Sequence, residues 1–187
     1  MKHVRLLVLV PLLLAMLPSD ARAQVSPLRL TVNKTQKDKR ETTYQSTNGR
    51  HRTQEVNSTV FYTVEVANIA PATLSNLKIN WAILIDPSHG EHLGGGVGWN
   101  EAHLKVATGE RACNIGLGLK YKFDTDPVDL SAVVVDNNGQ HHTRGGSVRG
   151  YMVEVYQGGH LIASDYSPSD IKNQIDHVRE NRANKGP

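Results

Sequence analysis

Histidine and carboxylate side chains gather in one short segment, where they could bind a metal ion. His89, Glu91 and His92 lie within four residues, and His103 follows eleven residues after His92. Two imidazoles and a carboxylate can hold zinc, and an open fourth position would permit hydrolysis. The spacing differs from the helical H-E-x-x-H pattern, and glycines flank the histidines. A loop without a metal is therefore the prediction, and a zinc site of His89, His92 and His103 is the alternative.

The same loop contains the residues best suited to contact a partner. Trp99 follows a glycine-rich run at residues 94–98, and it could anchor a sugar or a protein or fold over the end of the domain. Surface loops commonly carry such contacts. The candidate binding residues are His89, Glu91, His92, Trp99 and Asn100.

Two other groups of residues fit a structural role better than a chemical one. Cys113 lies among apolar neighbours, which favours a buried, unreactive thiol. Asp124, Asp126 and Asp129 match no calcium-binding loop, so turn and strand-start roles are expected. Because no acid, base and nucleophile converge in the sequence, we expect a protein that is not an enzyme and has no cofactor.

The first 23 residues have the composition of a secretory signal peptide. Lys2 and Arg5 precede an apolar run at residues 6–17, and Ala21 and Ala23 precede the expected cleavage point. The run is shorter than the about 20 apolar residues that cross a bilayer. We therefore expect residues 1–23 to be removed and the protein to be secreted, periplasmic or on the cell surface, with no transmembrane segment.

Length and charge limit the number of domains and the partners that the chain can have once the leader is removed. Removing the leader leaves 187 − 23 = 164 residues, enough for one domain. The leader carries three basic residues and one acidic residue, so the net charge of +3 falls to 3 − 2 = +1. Nucleic acid is therefore not expected as a partner. A single cysteine excludes a disulfide-stapled small domain.

Alternating apolar residues predict β-strands along most of the chain. Val60, Val64 and Val66 share one face of a strand at 59–67, and Ile79 and Trp81 share one face of a strand at 77–85. Further strands are predicted at 28–34, 103–107, 118–123, 128–135, 148–156 and 160–166. Turns are predicted at 107–110, 136–139 and 157–159, and loops at 86–100 and 140–146.

Two segments flank these strands. Residues 34–58 are polar and basic, and with the turn signal Asn48-Gly49 they form either a hairpin or a solvated loop. At the other end, Ser167 could cap a helix that begins with Pro168. Ile171, Ile175 and Val178 form its narrow apolar stripe.

Together these signals predict an all-β fold, an immunoglobulin-like antiparallel β-sandwich with a short C-terminal α-helix. Trp81 on a central strand fits that layout, although Cys113 has no partner for the disulfide of antibody domains. The expected divisions are a signal peptide at 1–23, a strand with a polar hairpin or loop at 24–58, the sandwich core at 59–168 and the helix and tail at 169–187.

Several segments of residues 59–171 resemble secreted immunoglobulin-like proteins of Verrucomicrobia- and Planctomycetes-type bacteria, some of them pilus- or surface-associated. The similar segments are 60–68 (VFYTVEVAN), 74–79 (LSNLKI), 123–130 (FDTDPVDL), 149–156 (RGYMVEVY), 159–163 and 166–168. The resemblance implies the fold and a surface location, and it supplies no catalytic residues.

The predicted function is an exported, non-catalytic binding or scaffolding domain at the cell envelope, with a protein or a glycan as partner. The first alternative is a metalloprotein or hydrolase that uses the loop histidines. The second is a structural subunit that assembles by β-strand addition, with residues 34–58 as the donor or the exposed edge.

Overall fold

The computed structural model describes residues 26–45, 51–87, 104–137 and 140–184 of the chain. These residues form strands and one helix, which are numbered here in chain order. The elements are β1 Leu28–Gln45, β2 His51–Asn68, β3 Leu74–Asp86, β4 Lys105–Ile115, β5 Lys120–Asp124, β6 Val128–Asn137, β7 Gln140–Gly145, β8 Ser147–Gln157, β9 His160–Ser167 and α1 Ile171–Ala183.

The strands form two antiparallel sheets that face each other. The first sheet, sheet A, has the order β1-β2-β6-β7, and β5 pairs with the C-terminal part of β2 beside β6. The second, sheet B, has the order β4-β3-β8-β9. Every pairing is antiparallel, which confirms the predicted all-β sandwich.

The core between the sheets consists of the apolar residues that alternate along the strands. Val60, Val64 and Val66 of β2 are fully buried against sheet B. Ile79 and Trp81 of β3 meet them from the other side. The alternation predicted from the sequence therefore identified the buried faces of both central strands.

The predicted turn at residues 107–110 is wrong, because these residues lie inside β4. Gly109 pairs directly with Trp81 of β3. A Cβ atom on Gly109 would lie 2.2 Å from Cζ2 of the Trp81 indole. The glycine is thus present because the indole ring covers its backbone, and not because the chain reverses there.

The described parts of the polar segment at 34–58, which are residues 34–45 and 51–58, pair as antiparallel strands and do not form a loop. β1 does not end near residue 34 as predicted but continues to Gln45, paired along its length with β2. The Asp38 carboxylate accepts a hydrogen bond of 2.7 Å from the hydroxyl of its cross-strand partner Ser58. In this segment β2 is paired on both edges, because β1 lies along one edge and β6 along the other. Backbone pairing on both edges maintains β2 where apolar alternation is weak.

The prediction of a flexible loop at 140–146 is also wrong for most of these residues. Residues 140–145 form β7, which pairs with β6.

The prediction of a hairpin between β8 and β9 is correct, and its turn residues Gly158 and Gly159 have φ angles of 57° and 83°. Positive φ is the reason that glycine occupies both positions.

Helix α1 forms a third layer on the outer face of sheet B. Ile171, Ile175 and Val178 are buried there, as predicted. The helix begins three residues later than predicted, because Ser167 is still paired in β9 with Tyr151. Asp170 takes the N-cap position, but its side chain does not cap the helix and accepts a hydrogen bond of 2.8 Å from the Gln174 amide.

Buried Asn68 joins the turn after β2 to the turn after β4. Its Nδ2 atom lies 2.8, 2.9 and 3.1 Å from the carbonyl oxygens of Ala72, Ile115 and Gly116. Its Oδ1 atom accepts a hydrogen bond of 2.9 Å from the N–H of Ala70. One side chain, 2% exposed, therefore fixes two surface turns at the same end of the sandwich.

Candidate binding groove

The outer face of sheet B changes from polar to apolar along β3. Lys78 and Asn80 occupy the first part of this face, and Ala82 and Leu84 occupy the second. The apolar residues of helix α1 pack against Ala82 and Leu84 in the apolar part, and from the helix Lys172 reaches the edge of the polar part. The polar part next to the helix is left as a surface facing solvent.

A shallow groove of about 460 Å³ lies on this polar part. Lys78 and Asn80 face the groove from β3, and Tyr156 lies directly opposite Lys78 on β8. The remaining lining residues are Asn76, Gly158 and Gly159. A Cβ atom on either glycine would meet no atom within 4 Å, so the groove is open at the β8–β9 turn.

A buried carboxylate fixes the aromatic wall of the groove. Glu154 is 5% exposed, and its two oxygens accept hydrogen bonds of 2.8 Å from the hydroxyls of Tyr156 and Tyr166. The Lys172 ammonium of α1 lies 3.6 Å from the same carboxylate. Both oxygens therefore have donors, and the Tyr156 ring is held in one position.

The polar groups of the groove are suited to hydrogen bonding at neutral pH. The hydrogen bond to Glu154 raises the pKa of the Tyr156 hydroxyl, so this group stays protonated. The Lys78 ammonium lies 2.7 Å from the exposed Glu110 carboxylate, a surface ion pair that a ligand can displace at little cost. Among the described residues, the half-buried Asn80 amide makes no side-chain hydrogen bond. The groove thus presents an amide, an ammonium and a fixed aromatic ring.

Of the binding loop predicted at 86–100, the structure describes residues 86 and 87. His89, Glu91, His92, Trp99 and Asn100, together with His103 of the alternative zinc site, lie outside the described residues. In the part of the chain that is described, no three histidine, cysteine or acidic residues are grouped as a metal site.

The other chemically interesting residues have structural partners. Cys113 is half-buried against the core, and burial raises the pKa of its thiol. The Asp124 and Asp129 carboxylates accept hydrogen bonds of 2.6 and 2.8 Å from the hydroxyls of Thr63 and Thr59. Asp126 lies 3.4 Å from the Arg111 guanidinium. These aspartates therefore attach β5 and β6 to their neighbours, in agreement with the structural role predicted for them.

Sequence reasoning missed the groove, although a signal for it was present. The face of β3 opposite the core reads Lys78, Asn80, Ala82, Leu84, which changes from polar to apolar. A short amphipathic helix could cover only the apolar half of such a face. The polar half then had to be exposed.

No known protein family and no curated protein matches the chain. Among solved structures it is similar to an X-ray structure of the structural-genomics target SoR45, with 10% identity over 75% of this chain and 85% of that chain and a TM-score of 0.32. It is also similar to the Pseudomonas fluorescens alkylpurine DNA glycosylase AlkC bound to DNA with an abasic site analogue, with 20% identity over 58% and 24% of the two chains and a TM-score of 0.26.

A third similar structure comes from Akkermansia muciniphila, with 12% identity over 75% of this chain and 70% of that chain and a TM-score of 0.23. This organism belongs to the Verrucomicrobia, but TM-scores this low carry no argument about family or function. Among the described residues, no helix has the length and apolar character needed to cross a membrane.

Proposed function

We propose that this protein is an exported, non-catalytic binding domain of the cell envelope that recognises a glycan in the groove on sheet B. The observation that carries the proposal is the Tyr156 ring held by Glu154 beside the Asn80 amide. A sugar offers hydroxyl groups to an amide and an apolar ring face to an aromatic side chain. This arrangement supports binding rather than proton transfer, because both Glu154 oxygens already accept hydrogen bonds.

The location of the groove supports a preformed site. Its walls are paired strands, and the register places Lys78 opposite Tyr156 and Asn80 opposite Glu154. Lys172 connects the buried carboxylate to helix α1. Little ordering is then needed when a ligand binds, which favours affinity. The resemblance to secreted immunoglobulin-like proteins agrees with an envelope role.

The test compares two asparagine variants on a glycan array and by titration calorimetry with the glycan that binds best. Asn80→Ala removes the amide of the groove, and Asn57→Ala is the matched control on the exposed outer face of sheet A. We expect Asn80→Ala to weaken binding about tenfold, which corresponds to one good hydrogen bond to a ligand, and Asn57→Ala to leave it unchanged.

Three results would contradict the proposal. The first is the absence of binding to any glycan, and the second is equal binding by the two variants. The third is capture of an envelope protein by the wild type but not by Asn80→Ala, which would make the groove a protein-binding site. Stoichiometric zinc in protein purified without a histidine tag would favour the metalloprotein alternative instead.

A further inference from the structure

The end of the sandwich that Asn68 joins together has an apolar surface. The turn after β2 contains Ile69, which is 50% exposed, and the turn after β4 contains Leu117 and Leu119, which are 61% and 62% exposed. The other residues of these turns, at 69–73 and 116–119, are alanine, proline, glycine and one threonine, Thr73. Turns at a protein surface normally carry several polar side chains, so two adjacent turns with a single one are unusual. These two turns are called the apolar tip.

The exposed apolar side chains are concentrated at this end of the molecule. The described part of the chain has five large exposed hydrophobic residues. Three are in the apolar tip, and Leu161 follows the β8–β9 turn at the same end. The fifth, Val133, lies on β6 where that strand pairs with β7, away from the tip.

Positive charges lie beside the apolar tip on the outer face of sheet A. In the row of sheet A nearest the tip, Arg29 of β1 and Lys120 of β5 flank Ala67 on the outer face. The next row on this face contains Lys122 opposite Glu65. These rows therefore hold three basic residues and one acidic residue, whose carboxylate lies 2.7 Å from the Lys120 ammonium.

The residues that lead into β1 also lie at the tip. The carbonyl oxygen of Pro27 accepts a hydrogen bond of 3.0 Å from the N–H of Ile69. The apolar leader at residues 6–17 precedes this point by only nine residues. Until the expected cleavage after residue 23, the leader would therefore hold this end of the domain near the bilayer.

We infer that the apolar tip docks on the surface of a membrane that contains anionic lipids. Leu117 and Leu119 insert at the level of the headgroups, and Arg29 and Lys122 attract the lipid phosphates. Asn68 holds the two turns together while they insert. The groove of sheet B opens at the β8–β9 turn, at the same end of the sandwich as the apolar tip, so a ligand in the groove would lie close to the membrane surface.

The test measures binding of residues 24–187, which hold every described element, to sedimented vesicles. One set of vesicles contains phosphatidylcholine alone, and the other also contains phosphatidylglycerol. The tip variant is Leu117→Ser with Leu119→Ser, and the matched control is Val133→Ser, which changes an exposed apolar residue elsewhere. Circular dichroism of each variant establishes that it is folded.

We expect the wild type and Val133→Ser to bind the anionic vesicles and the tip variant to bind at least tenfold less tightly. High salt and vesicles without phosphatidylglycerol should both weaken wild-type binding. The inference is wrong if the wild type stays in solution with both kinds of vesicle, or if the folded tip variant binds as well as the wild type. It is also wrong if the tip leucines are needed only for dimerisation in gel filtration, because the partner is then a second copy. Loss of glycan binding by Asn80→Ala tests the groove separately and leaves this result unaffected.

Discussion

Replacing Asn68 by alanine tests whether one buried amide holds the end of the sandwich together. The amide has two hydrogens shared among the carbonyl oxygens of Ala72, Ile115 and Gly116, and one oxygen that accepts from Ala70. Counting three independent hydrogen bonds at about 1 kcal/mol each gives a loss of about 3 kcal/mol in the free energy of unfolding. For a domain of this size, the melting temperature should fall by about 6–12 °C.

The assay is urea unfolding followed by circular dichroism, with Asn57→Ala as the exposed control. The control should change the free energy of unfolding by less than about 0.5 kcal/mol. Asn68→Asp sharpens the test, because it keeps the acceptor for Ala70 but places a carboxylate oxygen against three carbonyl oxygens. We expect the aspartate to destabilise at least as much as the alanine. A free energy of unfolding for Asn68→Ala or Asn68→Asp that matches the control would refute the reasoning.

Two further predictions concern the core. Gly109→Ala should lower the free energy of unfolding by about 3 kcal/mol, because the added Cβ would overlap the Trp81 ring. The control is Thr108→Ala on the same strand, which should have little effect in urea unfolding. Equal effects of the two substitutions would contradict this account. Burial, followed by the charge of Asp165, raises the pKa of Tyr151 to about 12, above the ordinary value of 10. The folded state therefore favours protonated Tyr151, and its contribution is complete below pH 10 and lost as the pH rises towards 12. Tyr151→Phe should show a smaller loss of stability than the wild type between pH 10 and 12 in urea titrations, and a parallel loss would rule out this residue as a cause.

The sandwich could be predicted because each central strand places one face in the core between the sheets, and the alternation of apolar residues identifies that face. Val64 and Ile79 are typical of these positions. The extension of β1 beyond residue 34 could not be predicted in the same way, because Lys37, Lys39 and the residues near them are exposed and show no apolar period. That part of the strand depends on pairing with β2, a long-range interaction that composition does not encode.

Packing also misled the interpretation of single residues. The residues around Gly109 are typical of a turn, but the glycine is needed because the side chain of Trp81, which is distant in sequence, packs against its backbone. Ser167 looks like a helix cap, but its backbone pairs with Tyr151 in sheet B. The groove required the relative register of β3 and β8, since Asn80 and Tyr156 are distant in the chain and only the fold brings them to one surface.

Helix α1 is the last element of the chain, yet it completes the burial of strands that are made much earlier. Ala82, Leu84 and Met152 are covered only when Ile171 and Ile175 dock on them. Under the export proposed above, a chain that crosses the membrane N-terminus first would have an incomplete interior until helix α1 arrives. A premature stop or a proteolytic cut before the helix would leave an apolar face of sheet B exposed to solvent, which quality-control proteases can recognise.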